Sequence, residues 1–237
     1  GETLVCRGET LTPVTLGILL SAGIQSVNIY AAPRVLFLPT GDELVPSGGP
    51  VPPGKNVESN SLLISAMLRQ FGCKPAVGGI LPDSPTDLET ALLQGALQAD
   101  LVIIGAGSSK GNKDFTMDVL ENIGEVIVQE IGVAPGKHCS LTLVQGTPVL
   151  GIPGPPGGAQ LICQYYVQAA VELLTTGKRQ ATPRVSATLT ADLPGRWIDF
   201  MQPVHVFWEE GQLFAAPMSA FGKTRAANRR AFLQILY

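Results

Sequence analysis

The residues of this chain whose types and spacing could do chemistry fall in four loops, each at the end of a short apolar run. Thr40-Gly41-Asp42-Glu43 follows RVLFLP, and Pro82-Asp83-Ser84 follows a run that ends at Leu81. Gly105 to Asp114 follows LVII, and Pro153-Gly154-Pro155-Pro156-Gly157 follows the apolar residues 149–152. In the third loop Gly107, Ser108, Ser109 and Gly111 have side chains small enough for backbone N–H groups to approach an anion. Strand, Gly/Ser loop and helix start at Asp114 make a natural phosphate site. Asp42, Glu43, Asp83 and Asp114 are hard oxygen donors with no soft ligand among them. That set favours Mg²⁺, and Mg²⁺ beside a glycine cradle favours a phosphate or pyrophosphate ester. Lys137, in Ala134-Pro135-Gly136-Lys137, could add a positive charge to an anionic ligand. Structural readings stay open: a Gly-rich turn with an Asp N-cap, a turn residue at Asp42, an Asx turn at Asp83, a cap at Ser84. Lys110 and Lys113, and Lys137 taken alone, also read as solvated loop lysines.

The order of elements explains why these loops could meet. Thr12-Pro13 starts a helix that Gly23 ends, and Val27 and Ile29 alternate with polar residues as a short strand. From Pro33 onward, strands alternate with helices. RVLFLP is a strand; residues 58–71 place Leu62, Leu63, Ala66, Met67 and Phe71 on one helical face, with Gly72 at C′. Residues 74–80 form a strand, and Ser84 caps a helix with Pro85 at its first position and Asp87 in the capping-box place. The strand of Leu101, a helix from Asp114, strand-like stretches at 125–130, 140–144 and 149–152, and a helix over 159–174 complete the pattern. Such repeated units predict a three-layer α/β/α fold with a mostly parallel sheet, whose ligands bind beyond the carboxyl ends of the strands. Past a polar linker at 178–182 the pattern is all β, with Glu210-Gly211 as a hairpin turn. The expected division is an N-terminal segment, 1–32, left from a preceding domain; an α/β domain, 33–177; and a small β-barrel-like domain, 178–237, whose last segment packs in its core.

Composition narrows the function. The chain has 237 residues, 45% hydrophobic, with a net charge of −3, enough to bury a sizeable core without any general nucleic-acid surface. The basic residues between Lys223 and Arg230 read as a solvated face. No run approaches the roughly 20 apolar residues of a membrane span. Residue 1 is Gly rather than Met, which suggests a processed product or a fragment. Cys6, Cys73, Cys139 and Cys163 lie far apart without a CxxC, and the histidines are His138 and His205. That pattern argues against structural zinc and suits buried thiols in a reducing cytoplasm. Both histidines read as packing or surface residues, with no nucleophile elbow for a Ser/His/Asp triad. A Walker loop and a GxGxxG after the first strand are absent, which disfavours ordinary ATP and NAD modules.

Taken in order, several motifs resemble the molybdopterin molybdotransferase family, that is, MoeA proteins and the gephyrin E domain. They are LTPVTLGILLSAGI, PRVLFLPTGDEL, Glu58-Ser59-Asn60, GILPD, Ser109-Lys110-Gly111-Asn112-Lys113-Asp114-Phe115, Ala134-Pro135-Gly136-Lys137 and GIPGPP, with Leu193-Pro194-Gly195-Arg196 and Asp199-Phe200 resembling the C-terminal β domain. The resemblance implies a MogA/MoeA-like molybdopterin-binding fold. It also implies insertion of molybdate into adenylylated molybdopterin with release of AMP, in molybdenum cofactor biosynthesis with Mg²⁺. Asp114, Asp42 and Glu43 are then the catalytic candidates, with Asp114 and Asp42 the Mg²⁺ ligands. Thr40, Gly41, Asn60, Asp83, Gly107, Ser108, Ser109, Gly111, Lys137, Pro153 and Gly154 are the candidates for holding the pterin substrate. A homodimer is implied for the intact protein, as is a MogA-type partner. The alternatives are a MogA-like adenylyltransferase and a non-catalytic paralogue that binds molybdopterin or a partner. The chain departs from the family at Ala106-Gly107-Ser108-Ser109-Lys110-Gly111, where GGVSxG is usual, and at Pro155, where the Asn of PGNP would supply an amide and a backbone donor. The family's long N-terminal region, which carries a dimerising element and acidic residues, lies outside these 237 residues.

Overall fold

The computed structural model describes residues 2–106, 115–179, 181, 184–193 and 198–218. A six-stranded sheet is its centre, in the order β4-β1-β5-β9-β8-β6. These strands are β1 (Arg34–Pro39), β4 (Lys74–Val77), β5 (Leu101–Ala106), β6 (Glu125–Val128), β8 (Ser140–Val144) and β9 (Thr147–Pro153). β4, β1, β5 and β9 pair in parallel, while β8 is antiparallel to both β9 and β6. Five strands therefore aim their carboxyl ends at one edge and β8 runs back. The reversal is local: Gln145 and Gly146 both have positive φ, which closes β8 and β9 as a tight hairpin.

Alternation along the strands builds two cores. Leu101 and Ile103 face one side with Val35, Phe37 and Ile152, under α2 (Asn60–Gln70), α5 (Pro156–Ile162) and α6 (Gln168–Thr176). Val102 and Ile104 face the other with Leu38 and Val149, under α3 (Pro85–Gln98) and α4 (Phe115–Ile123). That is the expected three-layer α/β/α arrangement, because strands buried on both faces need apolar residues at every position. Ile103 pairs with Phe37 and Leu150 across the sheet and is fully buried. Ile103→Ala is therefore expected to cost about 2–5 kcal/mol in urea unfolding, as a cavity the sheet cannot close. Leu97→Ala, on the exposed face of α3, should stay within about 0.5 kcal/mol.

The helix starts follow their sequence signals. Thr12 Oγ1 accepts from Thr15 N at 3.1 Å at the head of α1 (Pro13–Ser21), and Ser84 Oγ accepts from Asp87 N at 3.4 Å. Gly72 has φ +80, as expected of a C′ glycine after α2. Two expectations fail. The strand expected around Val27 and Ile29 is irregular chain, with Ile29 75% exposed, and among the described residues no strand pairs with it. The helix expected over 159–174 instead starts at Pro156 and is interrupted by a π turn, Cys163–Val167, between α5 and α6. The helical periodicity is nearly unchanged by one wider turn, so the pattern does not reveal it. Among the described residues no helix is long and apolar enough to cross a membrane.

Beyond the linker, β12 (Val204–Glu209) and β13 (Gln212–Pro217) form an antiparallel hairpin turning at Glu210-Gly211, both at positive φ. β10 (Thr188–Leu189) adds in parallel to β13. His205 stacks on Phe207, and Phe207 on Phe214, along this hairpin. The segment expected to close this part, 219–237, lies outside the described residues. One strand of the region joins the larger body: β11 (Asp199–Phe200) pairs in parallel with β7 (Val133–Ala134).

Three of the four cysteines are buried in the first core and one, Cys6, is exposed. Burial pushes the thiols of Cys73 and Cys139 up to about 11 and that of Cys163 to about 12. Thiolate is the reactive form. At pH 8 a charged disulfide reagent is expected to label Cys6 in the native protein and the other three only in denaturant, as counted by absorbance or mass.

Candidate functional site

The loops at the carboxyl edge are tied together by hydrogen bonds. Leu81 bridges to Thr40, Leu81 N donates to Pro39 O at 2.8 Å, and Gly41 N donates to Leu81 O at 3.1 Å. Thr40, itself buried, donates its hydroxyl to the carbonyl of Gly105 at the end of β5. Asn60, the first residue of α2, donates Nδ2 to Gly154 O at 2.8 Å. One crevice edge thus receives the turn after β1, the loop after β4, the end of β5 and the turn after β9, as the strand order requires.

Around Asp42 the geometry is specific. Asp83 N donates to Asp42 Oδ1 at 3.1 Å, and Lys55 Nζ donates to Asp42 O at 2.6 Å. Gly41 sits at φ +140, and a Cβ there would lie 2.5 Å from Glu43 Oε2, so the Glu43 carboxylate folds back over a glycine backbone that no other residue could replace without displacing it. Lys55 was not singled out by sequence. It is brought to Asp42 by a short parallel pair, β2 (Leu44–Val45) with β3 (Asn56–Val57), and two-residue strands leave almost no periodic signal. Lys55 Nζ has further N–H donors beyond the bond to Asp42 O, so the rim of the crevice carries a cation beside its carboxylates. Glu58 Oε1 accepts from Ser61 N at 3.0 Å and so secures the start of α2 that presents Asn60. Asn60 Oδ1 is buried with no hydrogen-bond partner, an acceptor left open at the corner where α2 meets the Gly154 turn.

Because β6 points the same way as β9, the loop that carries Lys137 also leaves the sheet at the crevice edge. It is drawn toward the 153–158 turn. A Cβ on Gly158 would lie 3.1 Å from Pro153 Cβ and 4.0 Å from Pro135 Cβ. Glu130 accepts from both neighbours of the loop tip, with Lys137 Nζ 3.5 Å from Oε2 and His138 Nδ1 3.1 Å from Oε1. His138 therefore lies at the surface with Nδ1 against the Glu130 carboxylate, and Glu130 is a second residue that sequence reading missed, since only closure of the loop brings it to Lys137. Pro155 is the N-cap of α5 and offers no side-chain cap, and Ala159 N donates to its carbonyl at 3.0 Å.

The structure therefore brings Thr40, Gly41, Asp42, Glu43 and Asp83 together, links Asn60 to Gly154 beside Pro153, and places Lys137 on a loop of the same edge. Gly107, Ser108, Ser109, Gly111 and Asp114 lie outside the described residues. Among the described residues no three His, Cys, Asp or Glu side chains converge as a metal site. Asp42 alone offers a carboxylate oxygen already directed by the Asp83 amide, which suits an ion bound by one or two carboxylates with its remaining positions filled by water and phosphate.

Comparison with known proteins identifies the family and the fold. The chain is 35% identical over 217 residues to a molybdopterin molybdenumtransferase of Haemophilus influenzae, a match covering 90% of this chain and 54% of that protein. A molybdopterin molybdenumtransferase of Nostoc is 31% identical over 178 residues, covering 73% of this chain and 41% of its own length. The solved molybdopterin biosynthesis MoeA protein of Pyrococcus horikoshii superposes with a TM-score of 0.81 at 26% identity, covering 98% of this chain and 55% of that one. The chain spans about half the length of these relatives. A family model described as "Probable molybdopterin binding domain" matches residues 37–173, which hold the whole six-stranded sheet apart from the first residues of β1, together with all four loops singled out in the sequence. With more than half of the chain inside that match, this protein belongs to the molybdopterin-binding domain family.

Proposed function

We propose that this chain binds molybdopterin in the crevice at the carboxyl edge of the sheet and takes part in inserting molybdate into the adenylylated form, with release of AMP. The observation that carries the reading is the linked set of loops: Thr40 to Gly105, Asp42 to Asp83, and Asn60 to Gly154. Each joins a different strand end, so a ligand lying across them is held by several elements at once.

Asp42 would hold Mg²⁺, with Asp114, which the sequence places after the Gly/Ser loop, as the second candidate ligand. The ion supplies charge neutralisation at the phosphate. Lys137 adds positive charge to the anionic end of the ligand, and Gly107, Ser108, Ser109 and Gly111 are the sequence's candidates for binding the phosphate. Glu43 stays beside Gly41 as a further carboxylate, and Asn60 keeps the turn at Gly154 against α2. Names of the longer relatives support the transfer reaction; a homodimer, a MogA-type partner and a cytoplasmic location accompany it in the same proposal.

The test is AMP release from adenylylated molybdopterin with molybdate, with and without Mg²⁺. Mg²⁺-dependent release supports the transfer reading. Consumption of ATP with molybdopterin would support the adenylyltransferase alternative instead. Lys137→Ala is expected to weaken molybdopterin binding about tenfold to a hundredfold, the usual worth of a hydrogen bond to a charged group, measured by anaerobic equilibrium titration.

A further inference from the structure

We infer that Asp199, Phe200 and Met201, outside the α/β body in sequence, are positioning residues for Lys137; the inference rests on the proposal that Lys137 holds the anionic end of molybdopterin. The loop between β6 and β8 is closed from within by Ile131 N donating to Lys137 O at 3.0 Å and Cys139 N donating to Gly136 O at 2.8 Å. From outside, among the described residues, its backbone pairs with one strand. Asp199 pairs with Val133 and Phe200 with Ala134, and Met201 N donates to Ala134 O at 2.9 Å.

Two residues of strand have no stability alone, so β7 exists because β11 lies against it. Pro135 follows at once and has no N–H to donate. The bond from Met201 to Ala134 is thus the last backbone anchor on the incoming side before Pro135-Gly136-Lys137. Met201 also packs its side chain against the first core, as does Ile131 on the incoming limb of the loop. The segment is therefore fixed to the α/β body by its own packing and passes that fixity to the loop. Lysine has a flexible stem, so where its ammonium can reach is decided by where its Cα is held.

The chemistry follows from placement. With β11 in place, the Lys137 loop is presented in one conformation at the crevice edge. With β11 detached, ordering that loop is added to the cost of binding. The C-terminal β region then sets substrate affinity without touching the pterin.

The experiment is anaerobic titration of the 237-residue chain with molybdopterin, for the native protein, Lys137→Ala, Met201→Pro, and the double variant. Met201→Pro removes the N–H that reaches Ala134. It is expected to weaken binding by about threefold to thirtyfold, the usual range for coupling through a packed element, and to add nothing further to Lys137→Ala. Amide exchange keeps the result interpretable: the Ile131 and Cys139 amides should exchange faster in Met201→Pro while β5 stays protected. Met201→Ala, which keeps the N–H, should leave those two amides slower than Met201→Pro does. Equal weakening by Met201→Pro in both backgrounds would overturn the inference, as would native affinity in Met201→Pro while Lys137→Ala is weak. Native affinity in Lys137→Ala would instead remove the reading on which the inference stands.

Discussion

Asp42→Asn is expected to lower Mg²⁺-dependent AMP release about a hundredfold or more while leaving the thermal unfolding midpoint nearly unchanged. The substitution is chosen because it separates two roles of one side chain. An amide oxygen can still accept from Asp83 N, which reaches Oδ1 at 3.1 Å, so the link between the turn after β1 and the loop after β4 is kept. The backbone carbonyl that receives Lys55 Nζ is untouched. What is lost is the negative charge. Charge stabilisation by a bound metal is worth several kcal/mol, and each ~1.4 kcal/mol is tenfold in rate. An Mg²⁺ titration of AMP release reads this directly. Unaltered release and Mg²⁺ dependence in Asp42→Asn would make Asp42 a turn residue only. A large fall in the unfolding midpoint would show that its charge serves the fold instead.

Gly136→Ala has the largest expected effect on the loop that carries Lys137. Gly136 lies at φ +134, a conformation that side-chain-bearing residues rarely adopt, and a Cβ there would be 2.5 Å from Ile162 Cδ1 and 3.1 Å from Ile162 Cγ1. Ile162 is fully buried in the first core, so it has little room to retreat. Backbone strain of about 1–3 kcal/mol and overpacking of a similar size combine to an expected loss of about 2–5 kcal/mol in urea unfolding. Molybdopterin affinity should fall as well, because relief of the contact displaces the residue before Lys137. Gly132→Ala, on the same loop with open space around its Cβ, is the matched control and should keep both stability and affinity.

The α/β body was legible in the sequence because its signals are local. Pro85 after Ser84, Gly72 after Phe71 and the unbroken apolar run from Leu101 each report an element through its own chemistry, and the structure has each where expected. The joined loops were legible for a topological reason: parallel strands place their following turns at one edge, whatever the side chains. Long-range pairing was not legible. Nothing near Asp199 announces that it pairs with Val133, and nothing near Glu130 announces contacts with Lys137 and His138, since both depend on how a loop closes. Lys55 escaped for the same reason. The failed strand at Val27 and Ile29 shows the converse limit, where alternation is present but, among the described residues, no partner strand receives it. A polar-apolar alternation is a condition for a strand; a neighbour with free backbone groups is the other condition.

The α1 region shows what remains after the fold is accounted for. Val14, Leu16, Ile18 and Leu20 on this helix are exposed, with Leu19 alone buried. The helix forms from its Thr12 cap and Pro13 start, and its apolar surface is not consumed by the α/β body.

The most direct test of the central claim is anaerobic equilibrium titration of this chain with molybdopterin, followed by tryptophan fluorescence or calorimetry. Saturable binding with one site per chain, weakened by Lys137→Ala and indifferent to Leu97→Ala, is the result expected of a pterin site at the carboxyl edge of the sheet. Absence of saturable binding in a folded chain, or binding that Lys137→Ala leaves unchanged, would contradict the site described.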